Sequence, residues 1–317
     1  MTKPMFPHAF DSTMIGHLRS CPQKLYRMYV EHWKPQAESV HLVAGKAFAT
    51  GIEKAREAFY VEGKSPEDSV AIGFGALLRA YGTFECPPDS PKSAQRMAGA
   101  LEYYFSQYPL GGDGANPIEY GGRRGIEFSF AHPLPVNHPV TGDPILYTGR
   151  ADMIANAYNG VFIYDEKTTS SLGAAWLKQW DMRSQFTGYC WGLREFGIKP
   201  AGVVVRGVSI LKTKYETAQA ISYRAEWEIE RWLDQVVRDI ERAKRMWAEG
   251  HWDFNLDHAC TEYGGCALTR VCKTSDPERW LPMYFEKRVW DPLAREEVSI
   301  ADWEAKWGHD TSSTAAS

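Results

Sequence analysis

The sequence predicts an α/β fold with a mixed central sheet flanked by helices, and three observations favour this class. Apolar residues recur at helical spacing through the first 117 residues. Two strand-like segments follow, joined by Asn159-Gly160, a dipeptide typical of tight hairpins. Beyond the hairpin, long helical patterns alternate with a further strand. With 317 residues, 44% of them hydrophobic, the chain can bury a large core in one domain or in two unequal ones.

The N-terminal region, residues 1–117, is predicted to be helical. Ser12 can cap a first helix, which the proline of Cys21-Pro22 is expected to end. Small and apolar residues at three-to-four spacing, with charges between them, predict three further amphipathic helices. Their expected ranges are residues 43–59, 65–81 and 93–107.

Residues 118–250 are predicted to form the α/β core, because helical periodicity gives way there to alternating and β-branched segments. The expected strands cover residues 125–130, 146–157, 161–168 and 202–212, and the expected helices cover 173–196 and 225–248. Residues 251–310 are predicted to form a cysteine-containing region that packs back on the N-terminus. The tail at 311–317 is expected to be disordered.

Composition excludes two classes of protein. Lys and Arg total 36 against 40 Asp and Glu, and the net charge of −4 excludes coating of nucleic acid by bulk positive charge, although a local basic groove is compatible with it. No apolar run in the sequence approaches the roughly 18 residues of a membrane helix, and no signal-peptide pattern is visible. We therefore expect a cytoplasmic protein with no membrane partner. In a reducing compartment, clustered cysteines bind metal or react more often than they form disulfides.

Two carboxylates and a lysine are expected to converge at the hairpin. Asp152 lies in the first arm, and Asp165 and Lys167 lie at the end of the second. Residues two apart on a strand share a face, so Asp165 and Lys167 point the same way. Oxygen ligands of this kind suit Mg²⁺ or Mn²⁺, while a lysine can orient water or stabilise negative charge. An Asp-x-Lys triplet alone is also common at solvated strand ends, so the order and spacing of the wider pattern decide between these interpretations.

That wider pattern resembles the PD-(D/E)XK nuclease superfamily, and within it the RecB-like branch of exonucleases that includes AddB and the CRISPR-associated adaptation nuclease. The resemblance implies a restriction-endonuclease-like core in which Asp152 and Asp165 bind Mg²⁺ or Mn²⁺ beside Lys167. In this branch a helix follows that carries Gln and Tyr four residues apart, matched here by Gln185 and Tyr189. Residues at i and i+4 lie on one face of a helix, where the resemblance implies contact with the active site and the DNA backbone.

One departure from the family pattern concerns a metal-binding histidine on an earlier helix. Family members usually carry Gly-x-x-x-His-x-x-x-Glu, whereas this chain has Ala49 at the histidine position between Gly45 and Glu53. Glu53 is retained, and Glu127 on the first predicted strand matches another acidic position of the family. Either carboxylate is a candidate to help complete the metal coordination, and a charge at the margin of a helix or strand is the alternative for both.

Three cysteines near the C-terminus, Cys260, Cys266 and Cys272, are spaced C-x5-C-x5-C and need a fourth ligand to hold a metal. In the RecB-like branch a lone N-terminal cysteine, matched here by Cys21, joins such a triplet to hold a [4Fe–4S] cluster, although the first gap of that triplet is often two residues. Four thiolates would then link the two ends of the chain. Zinc on the same thiolates, with His258 replacing one ligand, is an alternative. Unliganded core cysteines are another.

The expected function is that of a Mg²⁺- or Mn²⁺-dependent deoxyribonuclease, an exonuclease acting on DNA ends or single-stranded DNA in recombination, repair or phage DNA metabolism. Lys178, Arg183 and Arg206 fall near the expected site and are candidate contacts to the phosphate backbone. A helicase or recombinase is a possible partner, and a bacterial or phage-infected cell is a plausible setting. The alternative is a catalytically weak DNA-binding or recombination-partner subunit that keeps the fold, because Ala49 replaces the usual histidine.

Overall fold

The computed structural model describes residues 3–261 and 265–307. The helices are α1 Ser12–Ser20, α2 Pro22–Leu25, α3 Val40–Tyr60, α4 Pro66–Tyr81, α5 Ala94–Gln107, α6 Ala174–Lys178, α7 Ser184–Arg194, α8 Glu226–Glu249, α9 His258–Thr261, α10 Thr269–Cys272, α11 Pro277–Tyr284 and α12 Ile300–Trp307, with a π-helical turn at Tyr26–Val30. None of these helices has the length and apolar character needed to cross a membrane.

The strands are β1 Ala9–Phe10, β2 Trp33–Pro35, β3 Asn116–Pro117, β4 Glu119–Tyr120, β5 Arg123–Arg124, β6 Ile126–Asn137, β7 Pro144–Ala157, β8 Gly160–Thr169, β9 Gly202–Ile210, β10 Tyr215–Tyr223, β11 Phe285–Lys287, β12 Val289–Asp291 and β13 Glu296–Val298. The main sheet has the order β1-β7-β8-β9-β10. Its β7–β8 and β9–β10 pairs are antiparallel and its β8–β9 pair is parallel, so the predicted mixed α/β fold is confirmed.

The chain divides into two compact units. The sheet unit comprises Glu38–Phe130 and Arg150–Ile229, and the terminal unit comprises the segment up to Ala37, Ala131–Gly149 and the segment from Glu230 onward. These limits differ from the consecutive regions predicted with boundaries after residues 117 and 250. Each unit combines segments that are far apart in sequence and are joined by strand pairing and helix packing. Sequence patterns are local, so they do not reveal which distant segments pack together. The predicted tail at 311–317 lies outside the described residues.

In the sheet unit, helices α3, α4 and α5 form a layer whose apolar side chains pack together with Val208 and Ile210 of β9. Helices α3 and α4 approach closely at Gly51 and Gly73. A Cβ atom at Gly73 would lie 2.6 Å from the backbone oxygen of Gly51, a separation that no side chain permits. This contact places α3, which carries Glu53 and Arg56, firmly against its neighbour.

The predicted hairpin is present, but its turn lies one residue earlier than expected. Ala157 pairs with Gly160, so the two loop residues are Tyr158 and Asn159, with φ of 47° and 60°. Two positive φ values define the tight turn that suits the twist of a hairpin. The Tyr158 hydroxyl accepts a hydrogen bond from Gln219 Nε2 at 2.7 Å, an interaction that holds this tyrosine in a conformation it rarely adopts.

The terminal unit contains β1, which pairs in parallel with the first half of β7, and the antiparallel pairs β2–β11 and β12–β13. Its first helix is capped by Asp11 rather than by the predicted Ser12, because the Asp11 carboxylate accepts a hydrogen bond from the backbone N–H of Met14 at 2.8 Å. Asp11 also accepts a hydrogen bond from Trp290 Nε1 at 2.7 Å. Leu268, Val271, Leu281 and Phe285 form a small core near the C-terminus.

Candidate active site

The β7–β8 hairpin brings the predicted carboxylates together. The pair Met153–Tyr164 is in register across the two strands, so Asp152 and Asp165 lie on adjacent strands just beyond it. The backbone N–H of Glu166 donates a long hydrogen bond of 3.5 Å to Oδ2 of Asp152. Asp165 is buried, with 1% of its surface exposed, and Asp152 is partly buried. The two carboxyl groups are therefore neighbours in the sheet unit.

Negative charge is concentrated around these two residues. Burial raises the pKa of Asp152 well above its ordinary value, and the charge of Asp165 raises it further, as do Glu127 and Glu166. Burial likewise raises the pKa of Asp165. Burial raises the pKa of Glu127 to about 7, with Arg150 opposing the shift and Glu53 adding to it. A divalent cation would relieve this mutual repulsion, so the donor set suits Mg²⁺ or Mn²⁺.

The two additional carboxylates predicted from the family pattern lie in the same electrostatic neighbourhood. Glu127 belongs to β6 and has a φ of 49°, which is strained for a non-glycine strand residue and turns its backbone out of regular extension. It forms an ion pair of 2.7 Å with Arg150. Glu53 lies on α3 and is paired with Lys54 at 2.7 Å. Ala49, one turn before Glu53, is exposed. Within the part of the chain that the structure describes, no three His, Cys, Asp or Glu side chains are arranged closely enough to enclose a metal.

Lys167 forms an ion pair with Asp165, on the face of β8 that the alternation predicts. Burial alone would lower the pKa of Lys167, but the carboxylates of Asp165 and Asp152 outweigh it and raise the pKa above its ordinary value. The lysine is therefore a cation near neutral pH. Tyr189 interacts electrostatically with Lys167, so α7 approaches the hairpin at this point.

The predicted pairing of Gln185 with Tyr189 on one face of α7 is observed. Gln185 Nε2 donates a hydrogen bond of 3.0 Å to the Tyr189 hydroxyl. The ring of Tyr189 is buried and packs edge-on against Phe130, with ring centroids 6.2 Å apart. This packing holds the hydroxyl near Lys167 and leaves Gln185 at the partly exposed margin of the site.

A buried ion pair behind the hairpin was not predicted from the sequence. Glu166, on the opposite face of β8 from Asp165, accepts hydrogen bonds from Arg56 Nη1 at 2.9 Å and Arg56 Nη2 at 2.5 Å. The Tyr104 hydroxyl of α5 donates to the same carboxylate at 2.9 Å. The side chains of Arg56 and Glu166 are only 4% and 2% exposed. The one sequence signal was an arginine directly after Ala55 on the apolar face of α3.

The three basic residues predicted near the site have different environments. Lys178 and Arg183 are exposed, and the charge of Arg183 partly opposes the rise in the pKa of Asp165 that burial causes. Arg206 is 2% exposed, forms an ion pair of 2.5 Å with Asp113 and donates to Gln219 at 3.0 Å. The buried guanidinium of Arg206 has its partners inside the sheet unit, so we do not include it among the proposed phosphate contacts.

The four predicted cluster cysteines lie in the terminal unit and are all free thiols. Asn255 Nδ2 donates to the backbone oxygens of Arg19 at 3.1 Å and Ser20 at 3.0 Å, so the C-terminal segment is attached directly before Cys21. The backbone N–H of Cys266 donates to the oxygen of Cys260 at 3.0 Å. Burial raises the pKa of Cys272 to about 11, and the charges of Cys266, Cys21 and Cys260 raise it further, so the four thiols are electrostatic neighbours.

The mixed sheet, with two carboxylates and a lysine on one hairpin and a Gln-Tyr pair on the following helix, defines a nuclease-type α/β protein. The family model of the PD-(D/E)XK nuclease superfamily matches residues 13–273, and the chain belongs to this superfamily. No curated protein matches the chain.

Two solved structures are similar to this chain. The "Putative exonuclease" from Eubacterium rectale is 12% identical, with a TM-score of 0.48 over 81% of this chain and 88% of its own. A protein named SSO0001 is 15% identical, with a TM-score of 0.30 over 62% of this chain and 74% of its own.

Proposed function

We propose that this chain is a divalent-metal-dependent deoxyribonuclease that hydrolyses phosphodiester bonds at DNA ends or in single-stranded DNA. The observation that carries the proposal is the grouping of Asp152, Asp165 and Lys167 on two adjacent strands of the sheet unit. Burial raises the pKa of both aspartates, and the charge of Asp165 raises that of Asp152 further, so both carboxyl groups would be stabilised in their ionised form by a bound cation. Glu53 and Glu127 are the proposed supplementary metal ligands.

In this proposal each residue has a distinct role. Asp152 and Asp165 hold the cation, which when bound supplies Lewis-acid stabilisation of the charge that develops on the phosphate. Lys167 stays protonated, since its carboxylate neighbours raise its pKa, so it donates hydrogen bonds to a phosphate oxygen or to the attacking water rather than removing a proton. Gln185 and Tyr189 orient the substrate strand. Arg183 is the proposed contact to the phosphate nearest Asp165, with Lys178 on the same exposed segment.

The test is cleavage of end-labelled single-stranded and double-stranded DNA by the purified protein with Mg²⁺ or Mn²⁺. Wild type should cut, and Asp165→Asn and Lys167→Met should reduce the rate at least about a hundredfold, as expected when a group acting in the transition state is removed. Glu85→Gln, an exposed substitution on the same unit, is the control and should cut like wild type. No cleavage by wild type, or undiminished cleavage by both site variants, would contradict the proposal. A covalently closed substrate separates exonuclease from endonuclease action.

A second candidate function is that of a DNA-binding or recombination-partner subunit with little activity, and the observation that favours it is Ala49. The methyl group at this exposed position offers no ligand one turn before Glu53. This candidate predicts DNA binding without cleavage at any Mn²⁺ concentration. It also predicts no rise in melting temperature when Mn²⁺ is added, whereas the nuclease proposal predicts a rise.

We also propose that Cys21, Cys260, Cys266 and Cys272 hold a [4Fe–4S] cluster, as in the RecB-like branch. The electrostatic interaction of Cys272 with the other three thiols supports this, and thiolate sulfur is the ligand that such clusters use. Zinc on the same thiolates is the alternative. Iron and acid-labile sulfide analysis of anaerobically purified protein, with its visible absorbance spectrum, distinguishes the two. Stoichiometric zinc in a colourless protein would contradict the iron–sulfur proposal, and Cys86→Ser is the matched control.

A further inference from the structure

A small hairpin projects from the sheet unit beside the carboxylate cluster. Strands β4 and β5 pair Glu119 with Arg124 and Tyr120 with Arg123, and all four residues are exposed. Gly121 and Gly122 form the two-residue turn, with φ of 56° and 76°. Open space surrounds both glycines, so nothing in the described residues covers the tip of the hairpin.

The base of this hairpin is fixed to the strand that carries Asp152. The backbone N–H of Ile118 donates to the oxygen of Ile154 at 2.9 Å, and the N–H of Ile154 donates to the oxygen of Gly125 at 2.6 Å. Ile154 lies two residues after Asp152 on β7. The ring of Tyr120 packs edge-on against Phe128 and Phe196, with centroids 5.9 Å and 5.7 Å away. The hairpin is therefore positioned rigidly with respect to the proposed active site.

A groove of about 590 Å³ runs between this hairpin and the end of α3, lined by Tyr60, Gly122, Arg123, Arg124 and Ile126 with three glutamates. Ile126 directly precedes Glu127, and the groove residue Glu57 lies one turn after Glu53 on α3. Each side of the groove therefore contains a residue that is close in the chain to one of the proposed supplementary metal ligands.

Most of the charge in this groove is already paired. Glu57 is paired with Lys54 at 2.6 Å, Glu62 with Lys64 at 2.9 Å, and Glu119 with Arg124 at a loose 3.8 Å. The side chain of Arg123 has no ion pair or hydrogen bond with any residue that the structure describes. An exposed guanidinium without a protein partner, beside a second one that is weakly held, is suited to bind phosphate.

We infer that the hairpin of residues 119–124 is a DNA-binding element in which Arg123 and Arg124 contact the phosphodiester backbone of a strand that lies in this groove. The inference rests on the proposed function and extends it to a substrate-binding surface. The occupant is one DNA strand, because a polyanion complements the two arginines and the base of the hairpin is hydrogen-bonded to β7 two residues from Asp152. Tyr120 serves as the anchor of the hairpin, since two aromatic rings hold its own ring in place.

The test measures binding of a fluorescein-labelled single-stranded oligonucleotide by anisotropy in EDTA, so that no metal-dependent cleavage occurs. The Arg123→Gln/Arg124→Gln double variant should bind at least about tenfold more weakly, and the slope of log K against log salt should fall by about 1 for each arginine lost. Arg79→Gln, at an exposed arginine on α4, should leave affinity and slope unchanged. All variants should melt at the wild-type temperature, since the substituted side chains are exposed.

Two failures are distinguishable. If wild type cuts DNA and the double variant binds with wild-type affinity and salt slope, the hairpin is not a phosphate contact and the inference is wrong, while the nuclease proposal stands. If wild type neither binds nor cuts DNA, the proposed function is wrong and this inference fails with it. An equal loss of affinity in Arg79→Gln would show that only general charge is involved and would also overturn the inference.

Discussion

At the scale of single residues, the raised pKa of Glu127 makes the free energy of unfolding depend on pH. Burial raises its pKa from the ordinary 4.5 to about 7, so the folded protein holds a proton that the unfolded chain releases between these values. The free energy of unfolding of the metal-free protein should therefore fall as pH rises from 4.5 to about 7, with Glu127 contributing up to about 3 kcal/mol. Urea denaturation at a series of pH values in EDTA measures this dependence.

The matched variant for this prediction is Glu127→Gln, which cannot titrate. Its stability should change less steeply with pH than that of wild type, whereas Glu62→Gln should follow the wild-type curve, because the Glu62 side chain is 55% exposed. Identical pH curves for wild type and Glu127→Gln would contradict the assignment of a raised pKa to this residue.

Ala49 provides a second prediction at this scale. Ala49→His should add an imidazole one turn before Glu53 on an exposed part of α3, where the family usually has a metal ligand. The affinity for Mn²⁺ should rise by about tenfold, or 1.4 kcal/mol. Isothermal titration calorimetry checks this, with Ala49→Gln as the control for side-chain size. An unchanged affinity would indicate that position 49 does not face the metal.

Single residues also show which parts of the site could be predicted from the sequence and which could not. Asp152, Asp165 and Lys167 could be placed together because strand alternation and a hairpin turn are local rules. The burial of Arg206 could not be predicted, because its charge suggested a surface position and its partner Asp113 is far from it in sequence. The Arg56–Glu166 pair was missed for the same reason, since local periodicity carries no information about partners on a distant element.

At the scale of elements, the Arg56–Glu166 pair links α3 to β8, and Tyr104 adds α5. Glu166→Gln or Arg56→Met should lower the free energy of unfolding by about 3–5 kcal/mol, because either change leaves one buried charge without its partner. The double variant should lose less than the sum of the two. Lys64→Met, which removes an exposed pair with Glu62, should cost at most about 1 kcal/mol. Equal costs for buried and exposed pairs, measured by denaturant unfolding, would contradict this account.

The boundaries of helices and strands could likewise be predicted where local sequence determines them and could not where contacts with other elements do. The helices expected at 43–59, 65–81 and 93–107 are found at nearly those positions, because serine caps and apolar periodicity define them. The single helix expected over 173–196 is instead two, α6 and α7. The backbone oxygen of Trp180 accepts a hydrogen bond from Arg224 at 2.8 Å rather than continuing a helix. Strand β10, which pairs with the fully buried strand β9, was not predicted.

At the scale of the whole molecule, the cysteines lead to a prediction about stability. If Cys21 shares a cluster with Cys260, Cys266 and Cys272, one bond network closes a loop containing most of the chain. Cys21→Ser should then lose the cluster and lower the melting temperature of the anaerobic protein by several degrees, as expected for a loss of about 2–4 kcal/mol. Cys86→Ser, at a thiol outside the group, should change neither. Retention of full iron content by Cys21→Ser would contradict the four-cysteine assignment.

The division into two units also has a consequence for biosynthesis. The ribosome has completed every residue of the sheet unit by Ile229, whereas the terminal unit needs the segment that begins at Glu230. Because domains generally fold as units during synthesis, the carboxylate hairpin can form on the nascent chain well before the last three cysteines emerge. Cluster insertion would then be a late maturation step, and a translation product arrested after residue 229 would already contain the proposed catalytic hairpin.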